Sequence, residues 1–214
     1  MNLKKNKRVL LLGTGEDIPP KCPCPGDDFL LICADGGADL ALKWNLRPDL
    51  IIGDQDSLST QSLQYWQGEG VPVQKHPTQK DKTDLELAVD FALGLDPLSL
   101  TLAGAWGNRI DHSLGNLEIL YNLARLGVSN ELVTSGNRLI AFQKEYRGEV
   151  KTGSTVSLLP LSTKAEGVYT EGLFYSLADS TLVRGTTLGI SNRALEDKIY
   201  IRLSRGVLLV VLGQ

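Results

Sequence analysis

The sequence predicts an α/β protein with an N-terminal, doubly wound, mainly parallel α/β domain over residues 1–144 and a C-terminal all-β sandwich domain over 145–214. Three observations carry this. The first two-thirds of the chain alternates short apolar runs with stretches of helical periodicity. Those apolar runs are followed by Gly or Asp, which suits buried parallel strands. After about Glu145 the helical period disappears, and glycine-punctuated stretches of alternating polarity take its place.

Taken in order, Val9 to Leu12, Leu30 to Ala34, Leu50 to Ile52 and Leu98 to Ala103 read as the parallel strands. Ala38 to Trp44 is a short helix between two of them. Leu85, Ala88, Val89, Ala92 and Leu93 follow the i, i+3, i+4 spacing of a helix face, and Leu114, Leu117, Tyr121 and Ala124 do the same. In the second part, Thr155 to Leu159, Gly167 to Thr170, Thr181 to Val183, Lys198 to Leu203 and Val207 to Leu212 read as strands. The turn SRG between the last two predicts a terminal hairpin.

Composition limits the function classes. The chain has 214 residues, 42% hydrophobic and 22% charged, ordinary values for a globular protein. With 25 acidic against 22 basic residues it lacks the basic balance of a general nucleic-acid binder. The basic start MNLKKNKR leads into only four consecutive apolar residues, and no run approaches the roughly 20 needed to span a bilayer, so no membrane partner and a cytoplasmic location are expected. Cys22, Cys24 and Cys33 are sparse and odd in number. Cys22-Pro-Cys24 has no second Cys or His pair at a matching spacing and reads as a loop with two thiols.

The chemistry gathers where strands end. IIGDQDS at 51–57 runs a buried pair into Asp54 and Asp56, and two carboxylates about 4 Å apart repel by roughly 4 kcal/mol at an effective dielectric near 20. A divalent cation would offset that. Asp35 follows LLICA and precedes Gly36-Gly37, whose amides could face phosphate. Asp111 lies in GAWGNRIDH, shortly after SLTLA. Asp and Gly are ordinary turn residues, but three such sites fall at equivalent strand ends, where open α/β sheets bind ligands.

In PTQKDKTDLELA, Thr83 and Glu86 fit a capping box. Asp84 then sits in the first helical turn, where capping explains it as well as catalysis does. Asp81, between Lys80 and Lys82, reads either as a metal ligand within phosphate-binding charge or as a solvated charge run. Hard oxygen donors select Mg²⁺ or Ca²⁺, and Asp54, Asp56 and Asp81 could supply a Mg²⁺ site completed by substrate phosphates. His76 and His112 are too few for a zinc cluster. His112 could bond phosphate, orient Asp111 or simply start a helix, and Arg109 offers a fork of donors for phosphate. No Walker A motif or GxSxG elbow occurs, and Gly13-Thr14-Gly15 is not a GxGxxG fingerprint. The residues alone reach a Mg²⁺-assisted enzyme acting on a phosphorylated substrate.

The motif set resembles the thiamine pyrophosphokinase family: ADGGA at 34–38, PDLIIGDQDS at 48–57, HPTQKDKTDLELA at 76–88, GAWGNRIDHSLGNL at 104–117 and EGLFYSLADSTLVRGTTLGISN at 171–192. The chain departs from the family pattern at Gln55, where GDFDS is common, at Gly107-Asn108, where two glycines precede the arginine, and at Arg193, where an acidic residue is usual. The resemblance implies transfer of the β,γ-pyrophosphoryl group of ATP to the hydroxyethyl oxygen of thiamine, leaving AMP. It implies a homodimer with its active site at the subunit interface. It implies Mg²⁺ on Asp54, Asp56 and Asp81 with Asp84 close by. Asp35, Gly36, Gly37, Lys80, Lys82, Arg109, Asp111 and His112 would serve ATP and its phosphates, and Ser191 and Asn192 would contact thiamine. Asp81 or Asp84 is the expected proton acceptor. The alternatives are a diphosphokinase for another alcohol, such as a hydroxymethylpterin, and a nucleotide- or thiamine-binding protein without turnover.

Overall fold

The computed structural model describes residues 5–24, 26, 28–54, 56–79 and 81–213. The chain divides into two compact units, Met1–Asn116 with Leu132–Ser135, and Leu117–Glu131 with Gly136–Gln214.

The first unit is built on β1 (Arg8–Leu12), β2 (Phe29–Ala34), α1 (Gly37–Lys43), β3 (Leu50–Gly53), α2 (Thr60–Gly68), β4 (Val73–Lys75), α3 (Asp84–Leu93) and β5 (Ser99–Ala103). The strands are parallel in the order β5-β1-β2-β3-β4. Both faces are apolar, as the continuous strand sequences require. Leu10, Leu12, Leu31, Cys33 and Ile51 pack with Ala38, Leu40 and Trp66 of α1 and α2. Leu11, Ile32 and Ile52 are fully buried and point the other way by strand alternation, and α3 packs against β1, β2 and β3. This is the expected doubly wound arrangement. Helix α2 was not foreseen. Its start is a local device, the Ser59 side chain accepting from the Ser62 amide at 3.2 Å, and Trp66 Nε1 anchors it to the Ala38 carbonyl at 3.1 Å.

Helix α4 (Ile110–Arg125) and β6 (Asn130–Val133) straddle the division. The buried face of α4 carries Ser113, Asn116, Ile119, Leu120, Leu123 and Ala124, whereas Leu114 is 56% exposed. The face expected from Leu114, Leu117, Tyr121 and Ala124 is thus rotated. Polar Ser113 and Asn116 turn inward because the loop before the helix uses them, as described below.

The second unit is all β: β7 (Asn137–Phe142), β8 (Glu145–Glu149), β9 (Thr155–Pro160), β10 (Lys164–Glu171), β11 (Ser180–Val183), β12 (Asn192–Arg193), β13 (Lys198–Arg202) and β14 (Leu208–Gly213). Antiparallel strands in the orders β7-β14-β9-β12 and β8-β13-β10-β11 form two layers around one core. Ile199, Ile201 and Leu203 enter that core from one layer, and Leu208, Val210 and Leu212 from the other. Outside, Tyr200 and Arg202 stack with Arg147 and Tyr169.

The expected terminal hairpin is not formed. β13 and β14 belong to different layers, so the SRG turn is an interlayer crossing. The Ser204 amide donates to the Glu166 carbonyl at 2.8 Å and the Val207 amide to Ser162 Oγ at 2.9 Å, drawing the turn across the sandwich edge. A hairpin would have put both apolar rows on one sheet and left the opposite layer without its own.

Candidate active site

In the first unit, β2 to β4 step away from β1 on one side while β5 lies on the other. The sheet's switch point therefore falls between β1 and β5, and ligands bind beyond the carboxyl ends of strands at such a point. The loops that leave these strands, Gly13–Glu16 and Gly104–Arg109, continue the ladder past the strands. The Gly13 amide donates to the Ala103 carbonyl at 2.9 Å, Gly15 to Gly104 at 2.6 Å and Asp17 to Trp106 at 3.0 Å. Only glycine allows this approach. A Cβ on Gly13 would lie 2.5 Å from the Gly104 oxygen, and one on Gly104 would lie 2.6 Å from the Gly13 oxygen.

From the other side, α4 holds the second loop. Ser113 Oγ accepts from the Gly107 amide at 3.1 Å and donates to the Gly107 carbonyl at 3.2 Å, and Asn116 Nδ2 donates to the Ala105 carbonyl at 2.6 Å. Between these loops, the end of β2 and the start of α3 lies a cavity of about 190 Å³. That is below the roughly 300 Å³ at which typical small-molecule pockets begin, and suits a polyphosphate better than a whole nucleotide.

Asp35 forms part of its wall. It is 3% exposed, at the end of β2, with a left-handed φ of 46°. Its Oδ2 accepts from the Ser57 amide at 2.7 Å, while Oδ1 is buried with no hydrogen-bond partner among the described residues. Burial pushes the Asp35 carboxyl above its ordinary value, the Ser57 N–H opposes that, and the charges of Asp84 and Asp56 add to the rise. Carboxylate oxygens of Asp35, Asp54 and Asp56 lie within 4.8 Å of one another. Around them, the Asp56 amide donates to Asp54 Oδ1 at 3.2 Å and Ser57 Oγ donates to Asp56 Oδ1 at 2.9 Å.

The sequence-derived residues divide accordingly. Asp35, Asp84, Arg109 and His112 line the cavity, and Asp54 and Asp56 join Asp35. Asp84 opens α3 behind Thr83, whose Oγ1 accepts from the Glu86 amide at 3.2 Å as the capping reading requires. Asp81, expected on the metal with Asp54 and Asp56, is exposed on the loop before α3, and the carboxylates that cluster are those of Asp35, Asp54 and Asp56. Lys82 turns to its own helix, donating to Asp90 at 2.6 Å and pairing with Glu86 at 3.4 Å. Lys80 lies outside the described residues. Gly36 and Gly37 start α1 off the cavity wall, packed against the backbone of Ser57 and Leu12.

Arg109 and Asp111 form a two-bond pair, Nε to Oδ1 at 3.1 Å and Nη2 to Oδ2 at 2.7 Å. The guanidinium holds the Asp111 carboxyl down to about 2. Both groups are exposed, so the fork can exchange this partner for a phosphate.

In the second unit, Ser191 has a left-handed φ of 59° and its amide donates to Ser157 Oγ at 3.0 Å. Asn192 is buried and turned inward. Its Oδ1 accepts from the Tyr175 and Arg193 amides at 3.0 and 2.8 Å, and its Nδ2 donates to the Tyr175 carbonyl at 2.8 Å. It therefore holds the exposed Phe174–Tyr175 segment in place. Cys24 and Cys33 pack into the apolar core of the first unit.

Sequence reasoning missed Thr14, Glu16, Ser57, Trp106 and Asn116, all on the cavity wall. The signal was the glycine turn after the first strand. Its meaning depends on β5 lying beside β1, a matter of strand order that local pattern does not carry.

Comparison with known proteins agrees with this geometry. Residues 27–131 match the family model "Thiamin pyrophosphokinase, catalytic domain", and residues 138–208 match "Thiamin pyrophosphokinase, vitamin B1 binding domain". Thiamine pyrophosphokinase of Bacillus subtilis is 28% identical over 209 residues, spanning 97% of this chain and 98% of its own. The crystal structure of that enzyme superposes with a TM-score of 0.88 at 26% identity, covering 97% of this chain and 98% of the other. A thiamin pyrophosphokinase structure from Geobacillus thermodenitrificans gives a TM-score of 0.86 at 28% identity, with 97% of each chain covered. With both family domains present in order, and a carboxylate group beside a switch-point cavity in the first, the chain belongs to the thiamine pyrophosphokinase family.

Proposed function

We propose that this chain transfers the β,γ-pyrophosphoryl group of ATP to the hydroxyethyl oxygen of thiamine, giving thiamine diphosphate and AMP, with Mg²⁺ as its resident ion. The observation that carries the reading is the Asp35, Asp54, Asp56 group, in which Asp35 Oδ1 is buried without a hydrogen-bond partner among the described residues. Hard oxygen donors suit Mg²⁺. Gly53 also leaves open the side of Asp35 where a Cβ would crowd Oδ1 at 3.0 Å. Asp35, Asp54 and Asp56 would hold the ion, which when bound supplies charge neutralisation on the polyphosphate oxygens.

The remaining work falls to groups of the chain. Pyrophosphoryl transfer needs the alcohol in line with the β-phosphorus more than it needs a covalent nucleophile. The glycine-lined cavity takes the polyphosphate, and Arg109 grips it with the fork now lent to Asp111. Asp84, on the cavity wall, is the favoured acceptor for the alcohol proton, ahead of the exposed Asp81. Thiamine contact is assigned to Ser191 and to the Phe174–Tyr175 segment that Asn192 holds.

The reading includes a homodimer with its active site at the subunit interface. Ile110 and Leu114, 61% and 56% exposed and one helical turn apart beside Arg109 and His112, support it. It also includes a cytoplasmic location, in keeping with cysteines that are sparse and odd in number and offer no disulfide framework. Purified protein with ATP, Mg²⁺ and thiamine should yield AMP and thiamine diphosphate in equal amounts. Release of ADP would sink the proposal.

A further inference from the structure

We propose that Glu16 is a positioning residue, which fixes the Gly107–Asn108–Arg109 backbone for phosphate through the hydrogen bond its carboxylate accepts from the Asn108 amide. The inference rests on the reading of the cavity as the polyphosphate site.

The segment before Arg109 is held from two sides. Ser113 and Asn116 hold Gly107 and Ala105 from α4. On the other side, Glu16 Oε2 accepts from the Asn108 amide at 2.8 Å. The contact is close enough that a Cβ on Gly107 would fall on the Glu16 carboxylate. Glu16 is itself placed by its neighbours. The Gly15 amide reaches the Gly104 carbonyl, the Asp17 amide reaches Trp106, and Asp17 Oδ1 accepts from the Ser135 amide at 2.9 Å. Arg109 is the first residue past this clamp, with its side chain 67% exposed. A flexible side chain on an exposed loop needs a fixed backbone to aim it.

A carboxylate on the wall of a phosphate cavity is otherwise unfavourable, because like charges repel. The two possible roles have opposite signs. If Glu16 merely faced the phosphates, its removal would tighten ATP binding; if it positions the loop, its removal weakens ATP binding. The Asn108 N–H lowers the Glu16 carboxyl below its ordinary value, so the group is charged and an acceptor throughout the neutral range.

The test compares Glu16→Ala with Glu16→Gln, whose amide oxygen still accepts from the Asn108 N–H. Glu16→Ala should raise the KM for ATP at least tenfold while the KM for thiamine changes less than twofold. Glu16→Gln should stay within threefold of the parent enzyme on both. An unchanged or lowered KM for ATP in Glu16→Ala overturns the proposal, and so does equal impairment of the two variants. Amide hydrogen exchange separates this from the proposed activity. Even if the parent protein transferred no pyrophosphoryl group, exchange at Asn108 should quicken at least tenfold in Glu16→Ala and return in Glu16→Gln. Unchanged exchange in Glu16→Ala would also overturn the proposal.

Discussion

Asp35 combines burial, a left-handed backbone and an oxygen with no hydrogen-bond partner among the described residues, three costs at one residue. On the proposed reading a bound cation offsets them. Mg²⁺ is expected to raise the melting temperature of the parent protein, and Asp35→Asn should abolish that increment; a retained increment would remove Asp35 from the ion site. The sign of the pH effect follows from burial. A carboxyl whose folded value is raised contributes stability fully present below its ordinary value, and loses it as pH rises through the raised one. Without Mg²⁺, the parent protein should therefore lose stability relative to Asp35→Asn as pH rises above about 4, the ordinary aspartate range, in melts recorded across pH. Asp54→Asn should cut turnover by roughly 100-fold or more, in a protein whose circular dichroism is unchanged. The sequence showed that aspartates gather at strand ends. That Asp35 rather than Asp81 joins Asp54 and Asp56 depends on β2 and β3 being neighbours, with Ala34 beside Ile52, and no local spacing records this pairing.

At the scale of elements, the helix that follows the site has two masters. Its apolar residues pack inward, yet its first turns spend Ser113 and Asn116 on the loop before it, and this rotates the buried face away from Leu114. Leu120, fully buried, should cost about 2–5 kcal/mol when replaced by alanine. Leu126, 64% exposed just past the helix, should cost no more than about 0.5 kcal/mol. Urea denaturation checks both, and similar costs would contradict the burial that places Leu120 inside and Leu126 outside. Parallel strands were legible because burial on both faces leaves continuous apolar runs such as VLLL and LLICA. The last two strands were legible as strands, but not as partners. KIYIRL and VLLVVL each name the residues that face the core, and neither says from which layer.

At the scale of the molecule, the match along most of the chain to structures of the family leaves assembly as the property to measure. Sedimentation at micromolar concentration should show a dimer, and Leu114→Glu should shift it toward monomer; a parent protein that sediments as a monomer would end the dimer proposal. The change of pattern near Glu145 was legible because helical and strand periods differ, whereas the chain divides into units after Asn116 and Ser135. The switch point was not legible, since it exists only once β5 has taken its place beside β1. Gly13 and Gly104 meet there, each filling the space where the other's side chain would go. For sequence drift this is a locked pair. Enlarging either glycine collides with the other's main chain, which no second substitution can make smaller, so single mutational steps lead nowhere from either position. Variation in this protein should therefore collect around the cavity floor and leave those two positions still.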